Sequence, residues 1–545
     1  MVFDSVRQGQ AVHKGHALAR QGLAGVWLLV GTLAVLLPIA WISDDALITL
    51  HQVRVTIDDG MIVWNPGVRV QAFSHPLWFG LLTGGYALTG SLMWMTVVLS
   101  LILALLAVGL LWRFAVARPA FRGDPLMAAL FTSALLLCSG FVDYTTSGLE
   151  TPLSYALSAG VLWLALDDRA LSPRVEMLLW GLLAALVLTR IDHALLFGPL
   201  AVVRLAGAVR ANRLWPVVPG AFLLLAWFAF ATVYFGSPLP NTYFAKLSTG
   251  IAAGERLTHG VAYLVDAFVV ERVALPVALF GVFCGLLGGQ SARLMALGLL
   301  VSLVYLLWIG GDFMRGRFLA LPFFIALFLV AAIAHRRPLW LGAVLFAVPL
   351  LVPTVLSYAS FGAIPDKRIG SFADERAYYW DEAGAFAPRR VWPEPGAGNF
   401  ATDRPGEVVF GCAIGRLRFE SDATTHIVDT CALTDPFLAR LEAPYFQHWR
   451  IGHHVRALPR NYDAVSLAPE MALNPPRLAP LHAEMRLIAQ GDLADPVRFA
   501  AILRRLVGLA PVAPKPGADM VDLNQTVPFD WTIHDPNNTR TAVED

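Results

Sequence analysis

Long apolar stretches separated by short polar connections run from about residue 22 to about residue 357. A helix needs about 20 apolar residues to cross a bilayer, and about eleven segments approach that length. Their approximate cores are residues 22–42, 92–112, 125–141, 149–166, 175–189, 194–209, 216–235, 261–287, 294–309, 318–334 and 339–357. Residues 76–90 are shorter and contain Gly84-Gly85, so we interpret them as interfacial. The pattern predicts a mainly α, polytopic helical bundle over residues 1–358.

The character of the chain changes after about residue 358. Residues 408–411 and 425–428 are typical of buried strands, and residues 436–441 and 496–507 of helices. No further apolar span follows. Residues 359–545 are therefore predicted to form a separate soluble α/β domain, with an irregular tail from about residue 511.

Composition and charge place the chain in a bilayer. With 57% hydrophobic and 15% charged residues it is too apolar for an ordinary soluble enzyme. The net charge of +1 gives no sign of a nucleic-acid partner, which usually requires a basic excess. If residues 76–90 do not cross, the arginine-bearing connections all fall on the side of the N-terminus. The N-terminus is then cytoplasmic and the second domain extracytoplasmic.

The acid pair Asp44-Asp45 follows the first apolar stretch. Ionisable groups next to hydrocarbon are costly unless solvated or paired, so they are candidates for function. The alternative is two solvated acids that merely end a helix.

On this topology the polar motifs collect on the outer face. A carboxylate can accept a proton from an attacking hydroxyl, and cations around a phosphate stabilise the charge that develops as it leaves. Asp44 or Asp45, with a small preference for Asp44, would be the base. The candidates for a phosphate clamp are Arg190, Lys246, Arg315 and Arg317. The candidates for a substrate pocket are Trp64, Asn65, His75, Trp78, Glu150, Asp192, His193, Asn241, Tyr243 and Asp312.

Each of these residues also has a structural interpretation. Glu150 could be an acid at a helix N-terminus, and Lys246 a lysine that reaches the membrane surface. Arg315 and Arg317 could pair with Asp312. No metal-ligand spacing is present, although the carboxylates could hold a divalent cation. Cys412 and Cys431 either pair, if their domain lies outside the cytoplasm, or remain separate thiols.

Several motifs resemble one family. The segments 44–49, 60–70 and 74–78 resemble the first outer loop of GT-C glycosyltransferases that use polyprenyl-phosphate sugars. Segments 146–153, 240–246 and 310–317 are similar to motifs of the same group, in the same order, and 429–440 and 450–459 to its outer-domain segments. The chain looks most like the terminal arabinofuranosyltransferases of the actinobacterial cell wall.

The resemblance implies an enzyme of the bacterial cytoplasmic membrane. The donor would be polyprenyl-phosphoryl arabinofuranose, the reaction would invert the anomeric carbon, and the acceptor would be an extracytoplasmic glycan or glycoprotein. It maps the catalytic acid onto Asp44-Asp45. No cofactor is predicted to be required, and a divalent cation stays an open alternative. Two alternatives stay open: a transporter or flippase of a lipid-linked sugar, and a non-catalytic subunit of an envelope-glycan assembly complex.

Overall fold

The computed structural model describes residues 20–121, 124–167, 171–247, 249–334, 372–387, 392, 406–444, 449–468, 471–510, 515, 517 and 519–521. The predicted span 339–357, the domain boundary near residue 358 and most of the tail after residue 511 lie outside these residues.

The described part of the membrane region is built from helices. In chain order they are α1 (Arg20–Leu36), α2 (Asp44–Asp58), α3 (Pro76–Thr89), α4 (Leu92–Val116), α5 (Pro125–Ser133), α6 (Ser139–Tyr144), α7 (Thr151–Ala165), α8 (Pro173–Thr189), α9 (His193–Arg210), α10 (Val218–Phe235), α11 (Asn241–Leu247), α12 (Ala253–Val270), α13 (Ala274–Leu287), α14 (Gln290–Ile309) and α15 (Arg317–Ile333). Helix α15 is buried along most of its length and packs against α4, α6, α7 and α13. The mainly α-helical prediction is confirmed.

By length and composition, four helices of the described chain can cross a membrane, namely α4, α9, α10 and α14. The pair α12 and α13 would make a fifth, but it is bent by 103°. Helices α1, α7 and α15 are apolar and shorter. The figure of about eleven spans therefore stays a prediction.

Two predicted spans are interrupted. Residues 125–141 form α5, a 3₁₀ turn at Ala134–Leu137 and the start of α6. Residues 261–287 divide between α12 and α13, near Pro276 in the first turn of α13. Proline lacks an amide hydrogen and its ring clashes with the carbonyl four residues earlier, so α12 cannot continue through it.

The described chain from residue 372 onward, which we call the outer region after its predicted side of the membrane, contains a small parallel sheet. Its elements are α16 (Glu375–Ala383), β1 (Val408–Gly411), α17 (Ile414–Glu420), β2 (His426–Asp429), α18 (Tyr462–Leu467), α19 (Ala479–Gln490) and α20 (Pro496–Leu506). Strands β1 and β2 pair in parallel, with Val409 opposite Ile427, and α17 connects them. The strands coincide with the predicted runs, whereas the predicted helix at 436–441 is only a 3₁₀ turn at Leu438–Arg440.

The outer region and the membrane loops share one hydrophobic core. Ile48, Trp64 and Ala245 from the membrane region pack in the same cluster as Val409 and Ile427. Asn241 Nδ2 donates to the carbonyls of Ala432 and Leu433 at 3.0 and 3.1 Å. We call this contact the seam. It fixes the outer region over the loops in which the candidate residues lie.

Candidate active site

The acid pair begins a helix instead of ending one. Helix α1 stops at Leu36, and Asp44 and Asp45 form the first turn of α2. The Ser43 side chain accepts a hydrogen bond from the Ala46 amide at 3.2 Å, which caps the helix. Acids in a first turn also interact favourably with the helix dipole. The local sequence therefore specifies where α2 begins. Both carboxylates lie at the N-terminal end of this helix.

Asp44 is bound to the outer region. Its Oδ2 accepts from the Gly415 amide at 3.0 Å and its Oδ1 from the Arg416 amide at 2.8 Å, both in the first turn of α17. A Cβ on residue 415 would lie 1.8 Å from the Asp44 carbonyl oxygen, so only glycine fits there. Burial raises the pKa of Asp44, and the two amides oppose that shift. Asp44 acts as a remote cap of α17.

Asp45 has a different environment. Within the described residues no hydrogen bond reaches its carboxylate. Burial raises the pKa of Asp45, the charges of Lys246 and Arg317 lower it, and those of Asp44 and Asp312 raise it. The Asp45 carboxylate thus accepts no hydrogen bond in the described chain, so its oxygens are available to a ligand. Two cations, Lys246 and Arg317, act on it.

Glu150 is the centre of the neighbouring charge cluster. Its side chain is 1% exposed, and its Oε1 accepts from Arg190 Nη1 at 2.9 Å and from Arg317 Nη2 at 3.2 Å. His75 Nδ1 lies 3.3 Å from Glu150 Oε2. Burial lowers the pKa of His75 to about 4, so the ring is neutral at pH 7. Residues from four distant parts of the sequence therefore meet at one buried carboxylate.

Arg190 and Arg317 are not equally neutralised. Arg190 also holds Asp192 in a bidentate pair, with both N–O distances 2.9 Å. Arg317 has only a longer contact to a second acid, 3.9 Å between its Nη1 and Asp312 Oδ2. Arg317 therefore retains more uncompensated positive charge than Arg190. This charge acts on Asp45.

A cavity opens beside this cluster, with about 610 Å³ of space between its walls, open solvent included. Glu150, Arg190, Asp192, His193 and Arg317 line its polar part. Leu196, Leu303, Leu306 and Leu321 line the rest, on α9, α14 and α15. Such a cavity can hold an anionic head beside the arginines and a hydrocarbon chain along the helices.

The remaining candidates for the phosphate clamp have different surroundings. Arg315 binds Asp266, with Nε to Oδ2 at 2.8 Å and Nη2 to Oδ1 at 3.2 Å, and does not line the cavity. Lys246 lies in the last turn of α11 and acts electrostatically on Asp45; no ion pair engages it within the described chain. Asp312 is buried and accepts from the Phe313 amide at 2.9 Å.

Several predicted pocket residues hold the architecture instead. Asn65 bridges to β2 through the Ile427 amide and carbonyl, both at 2.9 Å, and Asn241 fixes the seam. Trp78 Nε1 donates to the Gly148 carbonyl at 3.0 Å, which supports the loop before Glu150. Trp64 is buried in the hydrophobic core that the outer region shares with the membrane loops, and Tyr243 is 43% exposed.

Sequence reasoning missed Glu375. It begins α16, its side chain is buried, and Arg450 Nη2 lies 3.5 Å from its Oε1. Burial, with the charges of Asp45, Asp44 and Asp312, raises the pKa of Glu375 to about 8 against the effect of Arg450. The surrounding sequence reads as an ordinary acidic first turn, so no signal in it points to the site.

The cysteines of the outer region are joined. Cys412 and Cys431 form a disulfide with a Cα–Cα distance of 5.1 Å. It links the residues after β1 and after β2, next to the start of α17 that Asp44 caps. In the described residues no group of three or more His, Cys, Asp or Glu side chains is arranged to hold a metal ion.

Comparison with known proteins supports the resemblance. No family model matches the chain. It is 26% identical to the terminal β-(1→2)-arabinofuranosyltransferase of Mycobacterium tuberculosis, over 80% of this chain and 84% of that protein. It is 27% identical to the enzyme of the same name from Corynebacterium glutamicum, over 54% of this chain and 48% of that protein.

A solved structure is also similar. It is the crystal structure of ArnT from Cupriavidus metallidurans bound to undecaprenyl phosphate, with 16% identity, coverage of 57% of this chain and 59% of that one, and a TM-score of 0.42. The two relatives confirm the predicted resemblance to the terminal arabinofuranosyltransferases, and with it the prediction of a membrane glycosyltransferase.

Proposed function

We propose that this membrane glycosyltransferase transfers an arabinofuranosyl group from a polyprenyl-phosphate donor to a hydroxyl of an extracytoplasmic glycan or glycoprotein, with inversion and with Asp45 as general base. The observation that carries the proposal is that the charges of Lys246 and Arg317 act on Asp45, while Arg317 also lines a cavity with a polar, arginine-bearing end and apolar walls. The identity of the sugar follows the names of the two relatives.

The cavity suits a lipid phosphate. Its apolar walls lie along α9, α14 and α15, where a prenyl chain would meet the same kind of surface as in the bilayer. Arg317 and Arg190 lie at the polar end, and guanidinium groups bind phosphate oxygens in a bidentate manner. Arg317, which is less neutralised than Arg190, is the principal phosphate ligand in this proposal, and Lys246 is the second. Arg315 is left with a structural role.

The chemical step is a single displacement. The acceptor oxygen forms a bond to the anomeric carbon, the bond between that carbon and the phosphate oxygen breaks, and the hydroxyl proton passes to Asp45. The phosphate leaves as the polyprenyl monophosphate, and Arg317 and Lys246 stabilise its added charge. Because attack and departure occur on opposite faces, the configuration inverts.

Asp45, and not Asp44, is assigned as the base because of its surroundings. A base needs a free oxygen lone pair within reach of the acceptor proton. Both oxygens of Asp44 accept amides of α17, whereas no donor is bound to Asp45 in the described chain. The nearby acids and burial raise the pKa of Asp45, which strengthens it as a proton acceptor.

We further propose that the outer region is extracytoplasmic and the chain multi-pass in the bacterial cytoplasmic membrane. The arginine pattern supports this orientation. The disulfide Cys412–Cys431 fits an oxidising compartment, because such bonds are rare in the cytoplasm.

The test is a transfer assay with the purified full chain, radiolabelled polyprenyl-phosphoryl arabinofuranose and an arabinan oligosaccharide. We expect a labelled, longer oligosaccharide and release of polyprenyl phosphate. Movement of intact donor across a vesicle membrane without a new glycosidic bond would instead indicate a transporter. Neither product nor movement, with donor still bound, would indicate a non-catalytic subunit.

A further inference from the structure

A second cavity lies on the seam away from the acid cluster, with about 410 Å³ of space between its walls, open solvent included. Phe235 and Gly236 at the end of α10 form one wall, and Met485 and Ile488 of α19 another. The cavity shares no lining residue with the one beside Glu150. It is therefore separate from the cavity beside Glu150.

Arg69, Arg440 and Arg505 line this cavity and come from three different segments. We call them the arginine trio. Arg69 Nη2 donates to the Gly491 carbonyl, and Arg440 lies 3.5 Å over the Phe244 ring with Nη1 3.4 Å from Asn241 Oδ1. Arg505 pairs with Glu484. In the described chain only one guanidinium group of the trio, that of Arg505, pairs directly with a carboxylate.

The trio carries two donors that the protein does not use, and its three positive charges face one directly paired carboxylate. Nε of Arg69 and Nε of Arg505 are buried without a hydrogen-bond partner in the described structure. Burial and the neighbouring Arg505 charge lower the pKa of Arg440 to about 9. Buried, uncompensated guanidinium groups are unfavourable unless an anion joins them. The cavity therefore has the chemistry of a phosphate site.

The position of the cavity indicates where that phosphate comes from. Helix α10 is long and apolar enough to cross a membrane, and the cavity begins at its last residue. A Cβ on Gly236 would lie 2.1 Å from Ile488 Cγ2, and Ile502 of α20 is 3.7 Å away. Helices α19 and α20 thus rest directly on the end of α10, which is the expected level of lipid headgroups.

Helix α20 presents an apolar face to the surroundings. Leu503, Leu506 and Val507, spaced i, i+3 and i+4, are 59%, 47% and 65% exposed. The inner face of the helix, with Ala501 and Ile502, is buried. An exposed apolar stripe on a helix that rests at a membrane surface is typical of interfacial helices, which insert that stripe among the acyl chains.

We propose that the arginine trio binds the phosphodiester headgroup of an anionic phospholipid of the outer leaflet, while the apolar face of α20 contacts its acyl chains. The occupant is a membrane lipid that docks the outer region on the bilayer. It is neither donor nor acceptor of the sugar.

The test is native mass spectrometry of the purified full chain, titrated with phosphatidylglycerol and, separately, with phosphatidylcholine. We expect the anionic lipid to bind at least about tenfold more tightly. The double variant Arg440→Gln/Arg505→Gln should weaken its binding about tenfold or more, because charge-assisted contacts are lost. Arg460→Gln, an exposed arginine of the outer region, is the matched control and should change nothing.

A second variant guards against misfolding of the first. Leu506→Glu changes only an exposed side chain and should weaken phosphatidylglycerol binding about threefold or more. Equal affinity for both lipids, or unchanged binding in both the double variant and Leu506→Glu, would overturn the proposal. Loss of lipid binding in Arg317→Gln would also overturn it, by placing the lipid in the first cavity. Glycerol phosphate binding as tightly as the lipid would show a site for free anions only.

Discussion

The two acids at the start of α2 lie in the same helical turn but belong to different regions of the molecule. Asp44 belongs to the seam, where two amides of α17 occupy its oxygens. Asp45 is instead influenced by the charges of Lys246 and Arg317, without a hydrogen bond to either, and Arg317 lines the first cavity. One residue of offset turns a side chain by about 100° around a helix. Identical side chains at adjacent positions thus have different surroundings: Asp44 holds the outer region, and Asp45 is the proton acceptor that we propose.

The largest expected effect is that of an Asp45 substitution on the rate of sugar transfer. Asp45→Asn removes the base but keeps the shape, so we expect the rate of transfer to fall about 10²-fold to 10⁴-fold. The thermal unfolding midpoint should stay close to that of the parent chain. The measurement is single-turnover transfer of labelled sugar. Activity above about a tenth of the parent rate would remove Asp45 from the reaction.

The next effect concerns the seam. The disulfide Cys412–Cys431 closes a loop with a sequence separation of 19. In the chain-entropy model such a bond contributes about 3 kcal/mol. The double variant Cys412→Ser/Cys431→Ser should therefore lower the unfolding free energy of the outer region by about that amount. Hydrogen exchange at β1 and α17 measures it; unchanged protection there would contradict the prediction.

Arg317 and Arg315 form a matched pair, two residues apart and bound to different partners. Arg317→Gln should raise the KM for the lipid donor about 10-fold to 100-fold, because a charge-assisted phosphate contact is worth about 1.5–3 kcal/mol. Arg315→Gln removes only the pair with Asp266, so the KM should change less than about threefold. Equal effects from both variants would mean that Arg317 has no special relation to the donor.

Glu375 adds a pH dependence to the border between the two regions. The folded pKa of about 8 exceeds the ordinary value of 4.5. Between these values the folded state keeps a proton that the unfolded state releases, so stability falls as pH rises, by at most about 1.4 kcal/mol per pH unit. Glu375→Gln should flatten this part of the stability profile, measured as unfolding midpoint against pH. A profile with the parent slope would refute the assignment.

The smallest effect is that of Asp44→Asn. An amide side chain has a single acceptor oxygen, so one of the α17 amides loses its partner, at a cost of about 1–2 kcal/mol. We expect the transfer rate to fall by less than about tenfold. A rate loss as large as that of Asp45→Asn would erase the distinction between seam and cavity.

Much of this picture was accessible from residue patterns. The helical segments followed from apolar runs, and the positions of β1, β2 and α20 from short periodic runs. The grouping of Glu150, Arg190 and Arg317 followed from the placement of polar connections on one predicted face. The break between α12 and α13 was missed, although Pro276 signals it, because the run of apolar residues outweighed one proline.

The residue-level assignments were not accessible in the same way. Asn65 and Asn241 looked like pocket residues because amides and acids occur together in such motifs, yet both hold the seam. Glu375 and the arginine trio gave no local signal, because each depends on partners from remote segments.

The sequence by itself determined the helical membrane architecture, the small outer region and the family to which the chain is similar, because hydrophobic periodicity and short motifs are local properties. The tertiary structure alone decided which acid accepts no hydrogen bond, which arginine is least neutralised and which cavity holds more guanidinium groups than paired carboxylates. Those properties depend on burial and on the distances between charges, and residues far apart in the chain set both.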